Sequence, residues 1–401
     1  MAAGLFDGLR VIDCASYIAA PASATVLSDF GADVIKIEPP GAGDPYRTRA
    51  QLPPGHTHPT SPFWLLDNRN KRSLALNLAT AEGQSVLRRL VTTADIFITN
   101  FPGPVRRKMR IAYDDLAPLN ERLIYGSFTG YGEAGPEAEK PGFDATAWWA
   151  RSGMMHLTRA GDDAAPARSL PGMGDHPSAM AMYAALVTAL YQRERTGKGM
   201  QCGSSLLMNG LWANGCHVQS TLCGETVLVQ PERNAAPGAT RNIYRCADGR
   251  WLQLLVIDDD RRWPLLRRAL GSSLLDDPRF ATPAERATHA HALVTAMDAV
   301  FAARPLPEWR AILDEAGLVF GLVGEMEDIP HDEQMRASGA LVPFADGDDL
   351  LTVTSPFWVG GQEKVAPRHA PGVGEHSDTV LREAGYAADE IAAMREARVV
   401  A

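Results

Sequence analysis

Apolar and polar positions along the chain follow two rhythms. Short apolar runs are punctuated by glycine and proline, and between them lie stretches with the three-to-four spacing of a helix. Residues 9–38, LRVIDCASYIAAPASATVLSDFGADVIKIE, set the theme. The first six predict a buried strand. Pro21 to Phe30 predicts a short helix with proline in its first turn and Gly31 as a stop, and VIKI predicts a second strand. A strand–helix–strand unit implies parallel strands. The theme recurs as a helix over 80–92 and strands over ADIFITNF (94–101) and LIYGSFTGY (123–131). The fold class is therefore α/β, a parallel sheet wrapped by helices. Within 142–160, GFDATAWWARSGMM predicts a helix carrying Trp148 and Trp149. Residues 177–196 predict a long helix that the glycines of TGKG close, and 204–223 predict one more.

The texture changes after about residue 230. PERNAAPGATRN has a linker-like composition, and NIYRCADGRWLQLLVI predicts two strands about the hairpin signal Asp248-Gly249. Helical stretches run on to about 330, and the tail, 374–397, is helical and polar enough for a surface. The chain divides accordingly into a large domain (1–225), a small α+β domain (226–330) and a return segment (331–401) that completes the first. No internal repeat is present. The loop 39–62 and the stretch 159–175 are irregular, as functional loops often are.

Composition narrows the classes. The 401 residues, 45% of them hydrophobic, suffice for more than one core. A net charge of −9 argues against a nucleic-acid binder. Five cysteines without CxxC spacing argue against a disulfide framework or a zinc site. No apolar run is long enough to span a membrane, and no signal peptide is visible, so the expected location is the cytoplasm. The turn after the first strand, CASYIAAPAS, lacks GxGxxG and carries bulky Tyr17 and Ile18, which disfavours a nicotinamide-dependent dehydrogenase. Glu38 then reads as a solvated strand end. No nucleotide-binding P-loop, HExxH or GxSxG is present. His56 and His58 read as solvated loop residues, and His176 as a surface or helix-start residue.

The candidate chemistry lies in SLPGMGDHPSAM, 169–180. Asp175 precedes a helical pattern, so it can be an N-cap. It can equally be a carboxylate nucleophile. Gly172 and Gly174 leave room for a bulky ligand, and the backbone N–H of Gly174 is a candidate oxyanion donor.

The chain resembles the family III CoA-transferases, which are related to the α-methylacyl-CoA racemases. The likeness rests on GLRVIDCASYIAAPASATVLSDFGADVIKIEPPGAGDPYR, NKRSLALNL, ADIFITNFPGPVRRKM, GYGEAGP with PGFD, GMGDHPSAM with RERTGKGMQ, and PGVGEHSDTVL, in that order. The resemblance implies a Rossmann-like large domain, a homodimer of two interlocked chains, and coenzyme A and acyl-CoA as substrates rather than a tightly bound cofactor. It makes Asp175 the nucleophile. It sets Ile18 and Ala19 in a turn facing CoA, and Leu76, Asn77, Leu78 and Ala79 beside the adenine. Asn100, Phe101 and Pro102 follow a strand's carboxyl end, where such sheets bind ligands. Arg107 or Lys108 answers a CoA phosphate, although this run also reads as a solvated helix face. Gly142, Phe143 and Asp144 line the thioester end.

Departures from the family pattern matter. The formyl-CoA transferases have glutamine at the place of Ile18, arginine at that of Pro39, and a glycine-rich small-domain loop where this chain has NAAPGATRN. Apolar Ile18, Phe143 and Trp148 suggest a larger, less polar acyl group. The racemases have histidine where this chain has Phe143, which cannot move a proton, so Asp144 reads as structural, as a helix cap. The expected activity is transfer of CoA from an acyl-CoA to a carboxylic acid through aspartyl anhydride and aspartyl-CoA thioester intermediates. A racemase or isomerase of the same superfamily and a non-catalytic CoA-binding protein are the alternatives.

Overall fold

The computed structural model describes residues 4–48, 60–161, 163–229, 233, 238–257, 259–346 and 349–401. His56, His58 and the first four residues of NAAPGATRN lie outside them. The chain forms two compact units, one of residues 1–155, 168–225 and 333–401 and the other of 156–167 and 226–332.

The first unit is built on six strands, β1 (Arg10–Asp13), β2 (Asp33–Glu38), β3 (Arg72–Ala75), β4 (Ile96–Thr99), β5 (Ile124–Thr129) and β6 (Met200–Ser205). They pair in the order β3-β2-β1-β4-β5-β6, every neighbour parallel. Val11 of β1 pairs with Val34 on one side and Ile96 on the other. Connections run in opposite directions from β1 and β4, so a crevice opens between their carboxyl ends. Ile12, Ile35, Phe97 and Tyr125 enter one core, while Val11, Val34, Ile96 and Ile124 enter another. That split is the period-two alternation of strands. Helices cover both faces, which is why apolar residues stand next to one another in the central strands, as Val11-Ile12 and Ile96-Phe97-Ile98 do.

Helix α1 (Ala19–Asp29) is buried on all sides, and its small residues allow it to pack closely on the long helix Asp175–Thr196. Helix α2 (Pro62–Asn68) buries Trp64 and Leu65. Helix α3 (Ala81–Val91) is one-sided, with Val86, Leu87, Leu90 and Val91 inward, and the Thr80 hydroxyl accepts from the Gly83 amide at its start. Helix α4 (Gly103–Lys108) follows β4. In the second unit β7 (Ile243–Arg245), β8 (Trp251–Leu254) and β9 (Phe320–Leu322) form an antiparallel sheet, with Tyr244, Leu252, Trp263, Phe301 and Trp309 in a core of its own.

Several elements differ from the sequence reading. The stretch 204–223 is not one helix. It begins inside β6 and continues as Leu206–Ala213 and Gly215–Leu222, broken at Asn214. The exposed alternate residues of this edge strand hid it. Around Trp148 the chain forms a π-helix, Asp144–Ala150, which ends before Gly153 at φ +88°. The tail helices Ser377–Glu383 and Ala388–Glu396 are not merely superficial, since Val380, Leu381 and Ile391 belong to the core.

Candidate active site

The long helix begins at Asp175, two residues earlier than its apolar pattern suggests, because Pro177 fits a first turn where no N–H is needed. Its N-cap residue is Gly174, so Asp175 is the first helical residue and caps nothing. The two glycines are there for the backbone. Gly172 has φ +77°, and a Cβ on Gly174 would lie 2.6 Å from the Trp148 ring. Trp148 is thus packed behind the nucleophile candidate rather than lining the acyl site. The Gly174 amide, expected as an oxyanion donor, is directed instead at Asp144 Oδ2, 3.4 Å away. Asp144 is itself no cap. It is the first residue of the π-helix, 8% exposed, and its Oδ1 accepts from the Ala145 amide.

A cavity of about 270 Å³ opens at the carboxyl ends of β1, β4 and β5. Ile18 and Ala19 line it from the β1–α1 turn, Asn100, Phe101 and Pro102 from the end of β4, and Gly142, Phe143 and Asp175 close it. A larger groove, about 1120 Å³, shares Ser16, Pro45 and Phe101 with the cavity, so the two adjoin. Leu76, Asn77, Leu78, Ala79 and Lys108 line this groove. Arg107 does not. It is exposed and pairs with Glu139 at 2.5 Å. The third member of the run, Arg106, is buried against Glu133 at 2.6 Å, so RRK is not a uniform solvated face.

Sequence reasoning missed several wall residues. Arg88 and Arg110 add cations to the groove, and Tyr17, Phe128, Lys140 and Leu206 add to the cavity. Tyr17 holds φ +65°, and its ring meets Phe143 edge-on at 5.7 Å. Asn100 clamps the turn that carries Tyr17. Its Oδ1 accepts from the Ser16 amide at 2.9 Å and its Nδ2 donates to the Ser16 carbonyl at 2.6 Å. Beneath the turn, Asp13 takes an ion pair from Lys71 at 2.8 Å and a longer one from Lys36 at 3.7 Å, and Lys36 pairs with Asp44 at 2.9 Å. Glu38, read as solvated, is 2% exposed and accepts from Arg47 Nη2 at 2.7 Å and from the Asp44 amide at 2.9 Å.

Electrostatics single out Asp175. Burial first, and the neighbouring Asp144 second, push its carboxyl from an ordinary 3.8 up to about 7, and His176 opposes them. Among the described residues its side chain accepts no hydrogen bond, while the first helical turn places the positive end of the helix dipole beside it. A partly dehydrated carboxylate with no side chain bonded to it can act as a nucleophile. Among the described residues no group of three or more His, Cys, Asp or Glu could hold a metal, and no helix is long and apolar enough to cross a membrane. The five cysteines are free thiols.

A long groove edged by cations, joined to a smaller apolar cavity that ends on a carboxylate, defines a protein for a long ligand with anionic and apolar parts. Comparison with known sequences supplies the family. Residues 6–377 match the family described as CoA-transferase family III, and the chain belongs to it. It is an acyl-CoA:carboxylate CoA-transferase. Among its relatives is the (R)-2-hydroxy-4-methylpentanoate CoA-transferase of Clostridioides difficile, 33% identical, with 99% of each chain covered. Another is the cinnamoyl-CoA:phenyllactate CoA-transferase of Clostridium sporogenes, 31% identical over 96% of this chain and 95% of that one. A crystal structure of a CAIB/BAIF family protein from Brucella suis superposes with a TM-score of 0.83 at 28% identity, covering 95% of this chain and 99% of the other.

Proposed function

We propose that Asp175 is the covalent nucleophile of a CoA transfer between carboxylic acids. Its oxygen attacks the donor thioester, the C–S bond breaks, and an aspartyl mixed anhydride forms as CoA thiolate leaves. The thiolate attacks the aspartyl carbonyl, releases the donor carboxylate and leaves an aspartyl-CoA thioester. The acceptor carboxylate attacks that thioester, giving a second anhydride and free thiolate. Attack of the thiolate on the acceptor carbonyl yields the new acyl-CoA and regenerates Asp175. Each step exchanges one acyl derivative for another, so the thioester's free energy stays in covalent form. The observation that carries this reading is a raised, unbonded carboxyl in the wall of a cavity continuous with a long groove.

In this reading the groove holds the nucleotide part of CoA. Leu76–Ala79 lie beside the adenine, and Lys108, with Arg88 and Arg110, answers the phosphates. The smaller cavity receives the acyl group. Tyr17, Ile18, Phe101, Phe128 and Phe143 make it apolar, which favours a branched or aryl side chain. The relatives whose names include 2-hydroxy-4-methylpentanoate and phenyllactate support a 2-hydroxy acid of that type. The protein works as a homodimer, a reading supported by exposed Met208, Leu211 and Trp212 on one helix.

The test replaces Asp175 with alanine and offers a panel of acyl-CoAs and free acids. Transfer disappears while the circular dichroism spectrum and CoA binding remain, and mass spectrometry of the wild type finds the acyl or CoA adduct on Asp175. A variant that transfers at a near-normal rate would sink the assignment.

A further inference from the structure

The residue after the nucleophile is held by a chain of buried groups that the transfer chemistry leaves unused. His176 Nε2 lies 2.9 Å from Asp67 Oδ1, and His176 Nδ1 lies 3.2 Å from the Gly172 carbonyl. Asp67 is 2% exposed. Its second oxygen, Oδ2, accepts from the Tyr46 hydroxyl at 2.8 Å, and its carbonyl accepts from Lys71 Nζ at 2.9 Å. Both ring nitrogens of His176 thus face acceptors. A neutral imidazole carries one N–H and would leave one acceptor facing a lone pair, whereas the imidazolium satisfies both. Each side-chain oxygen of Asp67 thus has a partner, the Tyr46 hydroxyl on one and His176 Nε2 on the other.

We propose that Tyr46, Asp67 and His176 form a positioning device that holds a cationic imidazole next to Asp175 and so keeps the nucleophile in its anionic, reactive form. This rests on Asp175 being the nucleophile. Apart from that cation, the charged side chains that act on Asp175 are acidic, Asp144 from the π-helix and Asp67 from α2, while Lys140 on the same cavity wall pairs with Glu137. Lys71 serves Asp67 and Asp13 rather than Asp175. The titration behaviour agrees. Burial disfavours charge on His176, but the Asp67 hydrogen bond and charge outweigh it and lift the imidazole to about 9, and His176 in turn lowers Asp175. His176 is therefore charged throughout the range in which Asp175 ionises. It is a positioning residue that touches no reacting atom.

The experiment measures kcat/KM against pH for the wild type, His176→Gln, Asp67→Asn and His176→Lys. The wild-type profile has an acid limb near pH 7. In His176→Gln the limb moves up by about one to two pH units, as expected for removing a charge one residue away at moderate dielectric. Activity at pH 6.5 then drops about eightfold for a one-unit shift and about seventyfold for two, and returns towards the wild-type value at pH 9. Asp67→Asn moves the limb the same way but by less, because it also removes an anion that raises Asp175, and His176→Lys restores the wild-type limb. A His176→Gln variant with kcat lowered equally at every pH would make the role structural and overturn the proposal. So would an alkaline loss of wild-type kcat above pH 9 that vanishes in His176→Gln, because His176 would then be a proton donor. Mass spectrometry separates the two levels. No adduct on Asp175 in the wild type refutes the nucleophile, whereas an adduct with an unmoved limb refutes only the role of His176.

Discussion

A carboxylate kept unbonded and partly dry should weaken the fold that holds it, and Asp175→Asn measures by how much. The folded carboxyl ionises near 7 and the unfolded one near 3.8. Because the folded value is the higher, this group's stability contribution is complete below the unfolded value. It is lost as pH rises from there through the folded value. At about 1.4 kcal/mol per pH unit, the interval sets a ceiling of about 4 kcal/mol on the penalty at alkaline pH. Water reaches the half-buried side chain, and screening brings the expected penalty to about 2 kcal/mol. Asparagine keeps the shape and never ionises. The variant should therefore match the wild type near pH 4, gain on it between pH 4 and 7, and lead by about 2 kcal/mol from pH 8 upward. Urea unfolding of the two proteins at a series of pH values, read by tryptophan fluorescence, gives the difference directly. An advantage that is absent at pH 8, or that does not grow with pH, would refute the claim that Asp175 carries an uncompensated charge.

Two further outcomes follow from the walls of the site. Asp13→Asn leaves Lys36 and Lys71 buried without the anion they share. It should cost about 3–5 kcal/mol in urea unfolding, and a loss below about 1 kcal/mol would contradict the ion-pair assignment. Lys108→Glu, on the groove wall, should raise the KM for acyl-CoA about tenfold at low salt, with a smaller effect at high salt and little change in kcat. Arg107→Glu, away from the groove, should leave KM unchanged, and equal effects of the two substitutions would misplace the phosphate site.

The parallel sheet was legible because its central strands are buried on both faces and so carry consecutive apolar residues, as IFIT does in β4. Strand β6 was not, since MQCGSS lies at the sheet edge with alternate residues in solvent. Asp175 stood out through its local setting of glycines and a helix start. The same glycines misled, however. Gly174 is required by Trp148, twenty-six positions earlier in the chain, and no local pattern reports that contact. Glu38 failed for the same reason, because Arg47 and Ser73 bury it only once β2 and β3 are paired. The Tyr46–Asp67–His176 chain joins three segments spread over more than a hundred residues, none with a motif of its own.

The two roles of the Asp175 environment pull against each other, and that conflict explains the arrangement around it. Dehydration makes the carboxylate a better nucleophile but favours its protonated, inert form. Hydrogen bonds to the carboxylate would restore ionisation, yet on the proposed mechanism they would also engage the lone pairs that attack the thioester. A nearby cation that makes no such bond avoids both losses, since it acts through space and leaves the oxygens free. His176 meets that requirement because Asp67 and the Gly172 carbonyl occupy its two N–H groups. Asp144, for its part, accepts from the Ala145 and Gly174 amides and so faces away from any role as a hydrogen-bond donor to Asp175. On the proposed mechanism, Asp175 is thus left to ionise near neutral pH with no side chain bonded to its oxygens.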